Sequence, residues 1–208
     1  MSNQKIKVCG ISDIEVLEQL IDLETDYVGF IFYNKSPRYV DENFLSSIKD
    51  LNFKNTVPVC VYVNSEEDFV YKTSSYFLNP ILQFHGDESH DYCESFGLEY
   101  WKAIRIKDKD DLQIIESFSS ASAILLENHK DGSYGGTGES FNWNLLKDID
   151  TKNQNFVLSG GINLENVDNA LTTNSWCLDL NSGVESSEGI KDIDLIKNIF
   201  KKINTYDN

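Results

Sequence analysis

Missing from this sequence is any apolar run approaching the length of a membrane span, and its N-terminus shows no signal-peptide hydrophobic core. A cytoplasmic location is therefore expected, with no membrane partner. Histidine is scarce, three residues widely spaced, which leaves no zinc-ligand constellation and no expected metal. The four cysteines, Cys9, Cys60, Cys93 and Cys177, show no Cys-x-x-Cys spacing and read as reduced thiols. Positive charge is in short supply, with 18 Lys and Arg against 34 Asp and Glu and a net charge of −16. Such a surface argues against nucleic acid and anionic lipid as partners. An anionic substrate would have to be held by local dipoles and a few placed cations. Only three prolines occur, Pro37, Pro58 and Pro80, near strand starts or loops, and no linker or low-complexity tract divides the 208 residues. One domain, 1–208, is expected.

What is present is alternation. Eight apolar, strand-like runs stand out: Ile6–Cys9, Tyr27–Phe32, Val57–Val63, Ile81–Phe84, Tyr100–Ile104, Ala123–Leu126, Phe156–Leu158 and Trp176–Leu180. Helical patterns lie between them. Ser12 or Asp13 opens one, Ser65 with Asp68 another, Asp108 a third, and Ile190 to Ile203 closes the chain. Weaker helical stretches run from Asp41 to Ile48 and within Asp87–Gly97. Strand–helix alternation implies a parallel sheet. The first strand leads into Cys9-Gly10-Ile11-Ser12, which is no G-x-G-x-x-G turn, so a doubly wound dinucleotide fold is disfavoured. Two glycine turns come late instead: Ser159-Gly160-Gly161-Ile162 and Asn181-Ser182-Gly183-Val184. Turns of this kind let backbone approach a phosphate closely. Placed after strands seven and eight, they predict an α/β fold of the (β/α)8 barrel type, whose site lies at the C-terminal ends of the strands.

Each strand end then offers a candidate. Lys7 and Cys9 share a face of the first strand. Two readings stand for Cys9: a small buried hydrophobe, or a thiol drawn toward thiolate by the lysine two residues below. Lys7 itself needs a carboxylate if buried, and Asp179 and Glu127 are the candidates. Arg38, in the loop after strand two, carries a fork suited to a carboxylate or phosphate, or is merely solvated. Gln83 and His85 share a face of strand four, and His85 reads as a catalytic group or a hydrogen-bonding positioner, the second being favoured. Glu127 ends strand six, either as an ordinary exposed strand-end carboxylate or as a catalytic one. The long glycine-rich stretch after it, Asn128 to Gly138, fits a lid.

Taken together, Lys7-Val8-Cys9-Gly10-Ile11, Gly29-Phe30-Ile31-Phe32 with Ser36-Pro37-Arg38, Leu82-Gln83-Phe84-His85-Gly86-Asp87-Glu88, Gly135-Gly136-Thr137-Gly138 with Phe141 and Trp143, Leu158-Ser159-Gly160-Gly161-Ile162, and Asp179-Leu180-Asn181-Ser182-Gly183-Val184-Glu185 resemble the phosphoribosylanthranilate isomerase family of tryptophan biosynthesis. The resemblance implies a cofactor-free Amadori rearrangement on a (β/α)8 barrel, acting on a small phosphosugar, in a monomer or homodimer. It implies Cys9 as general base and Arg38 as partner of the anthranilate carboxylate. Gly160, Gly161, Ser182 and Gly183 would line the phosphate site, with Asp179 a positioning carboxylate near the cysteine. The family's general acid is typically an aspartate at the end of strand six, where this chain has Glu127. Glu127 is expected to be the acid, with Asp131 and a weakly active or non-catalytic phosphometabolite-binding barrel as the alternatives. The reaction calls for a Cys9 pKa lowered by Lys7.

Overall fold

The structure, a computed structural model, describes residues 4–128, Trp143, Leu146 and 154–206. Eight parallel strands close into a barrel in sequence order: β1 (Lys5–Cys9), β2 (Tyr27–Ile31), β3 (Val57–Tyr62), β4 (Ile81–Phe84), β5 (Tyr100–Ile106), β6 (Ala123–Asn128), β7 (Phe156–Leu158) and β8 (Cys177–Leu180). Closure is the pairing of β8 with β1, in which Lys7 lies opposite Asp179. The strands agree with the apolar runs of the sequence to within two residues at either end. Burial on both faces is what made those runs continuous, and so easy to see.

Alternation along each strand divides the core in two. The barrel interior takes Cys9, Val59, Val61, Ile81, Trp101, Ala103, Ala123, Leu125, Val157 and Cys177. The larger outer layer lies between strands and helices, with Val8, Phe30, Tyr62, Phe84, Ile124 and Leu178 facing the helical ring. At the N-terminal end of the barrel Tyr27, Trp101 and Trp176 form an aromatic plug, with ring centroids 4.9 Å apart for Tyr27–Trp101 and 5.9 Å for Trp101–Trp176. Edge-on packing of this kind suits the ring quadrupoles and seals the end away from the site.

The helices start where their caps sit. Asp13 accepts from the amides of Glu15 and Val16 and opens α1 (Ile14–Asp22), which buries Leu17, Leu20 and Ile21. Asp41 caps α2 (Glu42–Ser47), and Ser89 caps α4 (His90–Glu94). Three boundaries depart from the sequence reading. First, α3 (Glu67–Ser74) begins after Glu66 without a side-chain cap, so Ser65 with Asp68 forms no capping box. Second, the Asp108 segment has its capping box, with Asp111, but winds as a 3₁₀ helix over Lys109–Phe118. Third, Ile190 does not begin the last helix. Ile190–Lys191 is a short strand, β10, antiparallel to β9 (Glu185–Ser187). The helix α6 (Ile193–Tyr206) starts only after Asp192, whose carboxylate accepts from the amides of Asp194 and Leu195. Short α5 (Val167–Leu171) follows the Gly160-Gly161 turn. No helix among the described residues is long and apolar enough to cross a membrane.

Candidate active site

At the C-terminal rim the strand ends deliver their inward-facing side chains. Lys7, fully buried, donates to Asp179 Oδ1 at 2.8 Å, and Ser159 donates to Asp179 Oδ2 at 3.3 Å. Asp179, rather than Glu127, is therefore the carboxylate that Lys7 requires. Burial, the largest single influence, lowers the Lys7 pKa, but the charge of Asp179, its hydrogen bond and the neighbouring Cys9 together overcome it and the net direction is up. Removing one partner of such a pair leaves a buried charge alone, a loss of about 3–5 kcal/mol.

Cys9 sits above Lys7 and is buried. Gly29 makes room for it, since a Cβ there would lie 2.6 Å from Cys9 Sγ. The expected lowering of the Cys9 pKa is not found. Burial raises it, and Lys7 only partly offsets that, because the lysine's charge is already committed to Asp179, which itself pushes the thiol up.

On the opposite arc, Gln83 and His85 point inward from β4 and its end. His85 Nδ1 lies 2.8 Å from Gln83 Nε2, and His85 Nε2 lies 2.7 Å from Glu127 Oε1. An amide donor on Nδ1 assigns the proton to Nε2, so the imidazole donates to Glu127. Glu127, at the end of β6, is only 4 % exposed, not the solvated strand-end carboxylate of the bland reading. Its Oε2 is left outside this bond. Behind His85, the outward-facing Lys102 donates to Gly86 O at 2.7 Å and Glu88 Oε2 at 2.9 Å. Glu88 in turn accepts from the amides of Asn64 and Gly86. This buried pair fixes the turn that carries His85.

The third group gathers around Arg38. Its side chain lies across the end of β1, where Gly10 is essential: a Cβ there would meet Arg38 Cδ at 2.6 Å. Arg38 is 5 % exposed. Its Nε and Nη2 each donate at 2.7 Å to Glu185, side-on, which leaves the end-on edge of the guanidinium outside the pair. Lys191 Nζ reaches the same carboxylate at 2.5 Å, and also Asn181 Oδ1 and Asn181 O. Burial would raise the Glu185 pKa, but Arg38 and Lys191 overcome it and bring it to about 2. Glu185 ended a motif in the sequence without a role, and Lys191 was hidden in a misplaced helix.

The two glycine turns meet. Gly160 and Gly161 have φ of +98° and +65°, and Asn166 holds the turn by donating to Gly161 O at 2.9 Å. Gly183, in the 3₁₀ turn Ser182–Val184, approaches so closely that a Cβ would lie 2.0 Å from Ile162 O. Gly183 thus packs directly on the backbone that follows Gly160-Gly161. Among the described residues no group of three or more His, Cys, Asp or Glu could hold a metal. The Gly-rich stretch 129–138, with Asp131, and Phe141-Asn142 lie outside the described residues.

The chain as a whole is similar to known proteins. A family model described as N-(5'phosphoribosyl)anthranilate (PRA) isomerase matches residues 6–202. N-(5'-phosphoribosyl)anthranilate isomerase of Thermoanaerobacter sp. (strain X514) is 37 % identical over 201 residues, covering 96 % of this chain and 97 % of the relative. The Nitrosospira multiformis enzyme of that name is 36 % identical over 191 residues, 90 % of each chain. Among solved structures, phosphoribosyl anthranilate isomerase from Thermotoga maritima superposes with a TM-score of 0.86 at 31 % identity, covering 97 % of this chain and 99 % of that one. A phosphoribosyl anthranilate isomerase in complex with reduced 1-(o-carboxyphenylamino)-1-deoxyribulose 5-phosphate superposes with a TM-score of 0.83 at 30 % identity, with the same coverage.

Proposed function

The chain belongs to the N-(5'-phosphoribosyl)anthranilate isomerase family, and from that premise we propose how its own residues divide the reaction. The protein is an isomerase of tryptophan biosynthesis that converts N-(5'-phosphoribosyl)anthranilate into 1-(2-carboxyphenylamino)-1-deoxyribulose 5-phosphate. A non-catalytic phosphometabolite-binding barrel finds no support in its relatives.

In our reading Glu127 is the general acid. With Oε1 accepting from His85, its proton resides on Oε2, and transfer to the furanose ring oxygen opens the ring to a Schiff base. Cys9 removes the proton from C2 of the ribose, and the resulting enolamine tautomerises to the ketone. Gly160, Gly161, Ser182 and Gly183 hold the phosphate through backbone amides. Arg38 offers its end-on edge to the anthranilate carboxylate while Glu185 keeps the side-on edge. Lys7 and Asp179 hold the floor beneath Cys9, and His85 orients Glu127. The observation that carries this reading is the convergence of a thiol, a carboxyl tied to imidazole and two touching glycine turns on one rim. Four free, buried cysteines support a reducing, cytoplasmic setting.

The test is fluorescence-monitored turnover of freshly made substrate by wild type, Cys9→Ala and Glu127→Ala. Each variant is expected to lose about 10²-fold or more in kcat. Near-wild-type turnover by either would remove that residue from its role.

A further inference from the structure

Two cations enclose one carboxylate at the rim, and the count does not balance. Glu185 accepts four hydrogen bonds: Arg38 Nε and Nη2 at 2.7 Å each, Lys191 Nζ at 2.5 Å and the Gly189 amide at 3.1 Å. Every lone-pair direction of that carboxylate is occupied. Lys191 has only acceptors around it, Glu185 and the two oxygens of Asn181, as an ammonium requires. The cluster is largely sealed: the side chains of Arg38, Glu185 and Lys191 are 6 %, 4 % and 3 % exposed. Lys7 is cancelled by Asp179, and Glu188, which also feels Arg38, is exposed to water. Among the described residues one positive charge is left over in this buried cluster.

We propose that Lys191 is a positioning residue for the substrate's carboxylate: by neutralising Glu185 it lets Arg38 accept a second carboxylate on its end-on edge. The proposal rests on the assignment of Arg38 to the anthranilate carboxylate. Without Lys191, Arg38 would face two carboxylates alone, leaving a buried negative charge in the bound state. With it, the incoming carboxylate brings the cluster to neutrality. Glu185 meanwhile aims the guanidinium, since a side-on fork fixes both the position and the plane of the other edge. Among the described residues the Lys191 ammonium touches only Glu185 and Asn181, so it acts through Arg38 and not on the substrate.

Two ligands separate this role from a structural one. The first is reduced 1-(o-carboxyphenylamino)-1-deoxyribulose 5-phosphate; the second is the same compound made from aniline, without the carboxyl group. Calorimetric affinities are measured for wild type, Arg38→Gln, Lys191→Met, Glu185→Gln and the Glu185→Gln/Lys191→Met pair. Lys191→Met is expected to bind the carboxylate ligand about 10-fold or more weakly and the aniline ligand within about threefold of wild type. Adding Glu185→Gln to it restores the single spare charge, so the pair is expected to regain most of the lost affinity, a non-additive rescue that a packing defect would not give. Equal losses for both ligands in Lys191→Met, or no recovery in the pair, would overturn the proposal. Should Lys191→Met fail to fold, the charge-balanced pair stands in, and a selective loss of the carboxylate ligand there is the overturning result. Arg38→Gln separates the premise: if it weakens both ligands alike, the Arg38 assignment fails and the proposal with it. If Arg38→Gln is selective and Lys191→Met is not, only the proposal fails.

Discussion

At Cys9 two demands pull apart. The reaction needs a thiolate, while burial holds the thiol above its ordinary pKa and the nearest ammonium is spent on Asp179. Alkylation reports the thiol alone. Iodoacetamide labelling of Cys9, followed by peptide mass spectrometry on the unliganded protein, is expected to accelerate about tenfold per pH unit from pH 7 to beyond pH 9. A plateau near neutrality would show the thiolate already formed and contradict the burial argument. Residue identities at this scale were legible to different degrees. Lys7, Cys9, His85 and Glu127 announce themselves as polar groups at the ends of apolar runs. Glu185 does not, because its meaning lies in Arg38, 147 positions away.

At the scale of elements, the strands could be read from the sequence almost to the residue. Ile81–Phe84 and Phe156–Leu158 coincide with the structure, since strands buried on both faces leave no ambiguity of pattern. The helices were legible at Asp13 and Asp41, where a side-chain cap marks the start, and misplaced at Ser65, where none does. Ile190 and Lys191 fit a helical apolar pattern, yet they pair with Glu185–Ser187, and the true cap is Asp192. That misreading hid a buried lysine inside the site. The contact between the two glycine turns was also invisible, as both were legible singly and their meeting depends on barrel closure. It makes a prediction of its own. Gly183→Ala must drive the β8 turn off Ile162, so affinity for the reduced product analogue is expected to fall about 10-fold or more, with the far-ultraviolet circular dichroism preserved. Undiminished binding by that variant would mean the turns are not the phosphate seat.

Over the whole molecule, surface and interior carry opposite accounts of charge. The chain is strongly acidic, so lowering the pH first relieves repulsion among its carboxylates. Glu185 works the other way. Its folded pKa, about 2, lies below its unfolded value of 4.5, so its contribution is fully present above 4.5 and is lost as pH falls through that window. The stability difference between wild type and Glu185→Gln, from urea midpoints, is therefore expected to be constant from pH 7 to pH 5 and to shrink below pH 4.5. A difference independent of pH across that range would show that the carboxylate's charge is not what Arg38 and Lys191 reward.

The closure of β1 on β8 also bears on how the chain is made. Lys7 leaves the ribosome 172 positions ahead of its counter-charge, Asp179. Until then the N-terminal strand has a neighbour on one side only, and its ammonium has no place in an apolar interior. A nascent or prematurely terminated chain lacking the last strand therefore cannot seal its core. Until β8 pairs with β1 that seam stays open to water and to proteases.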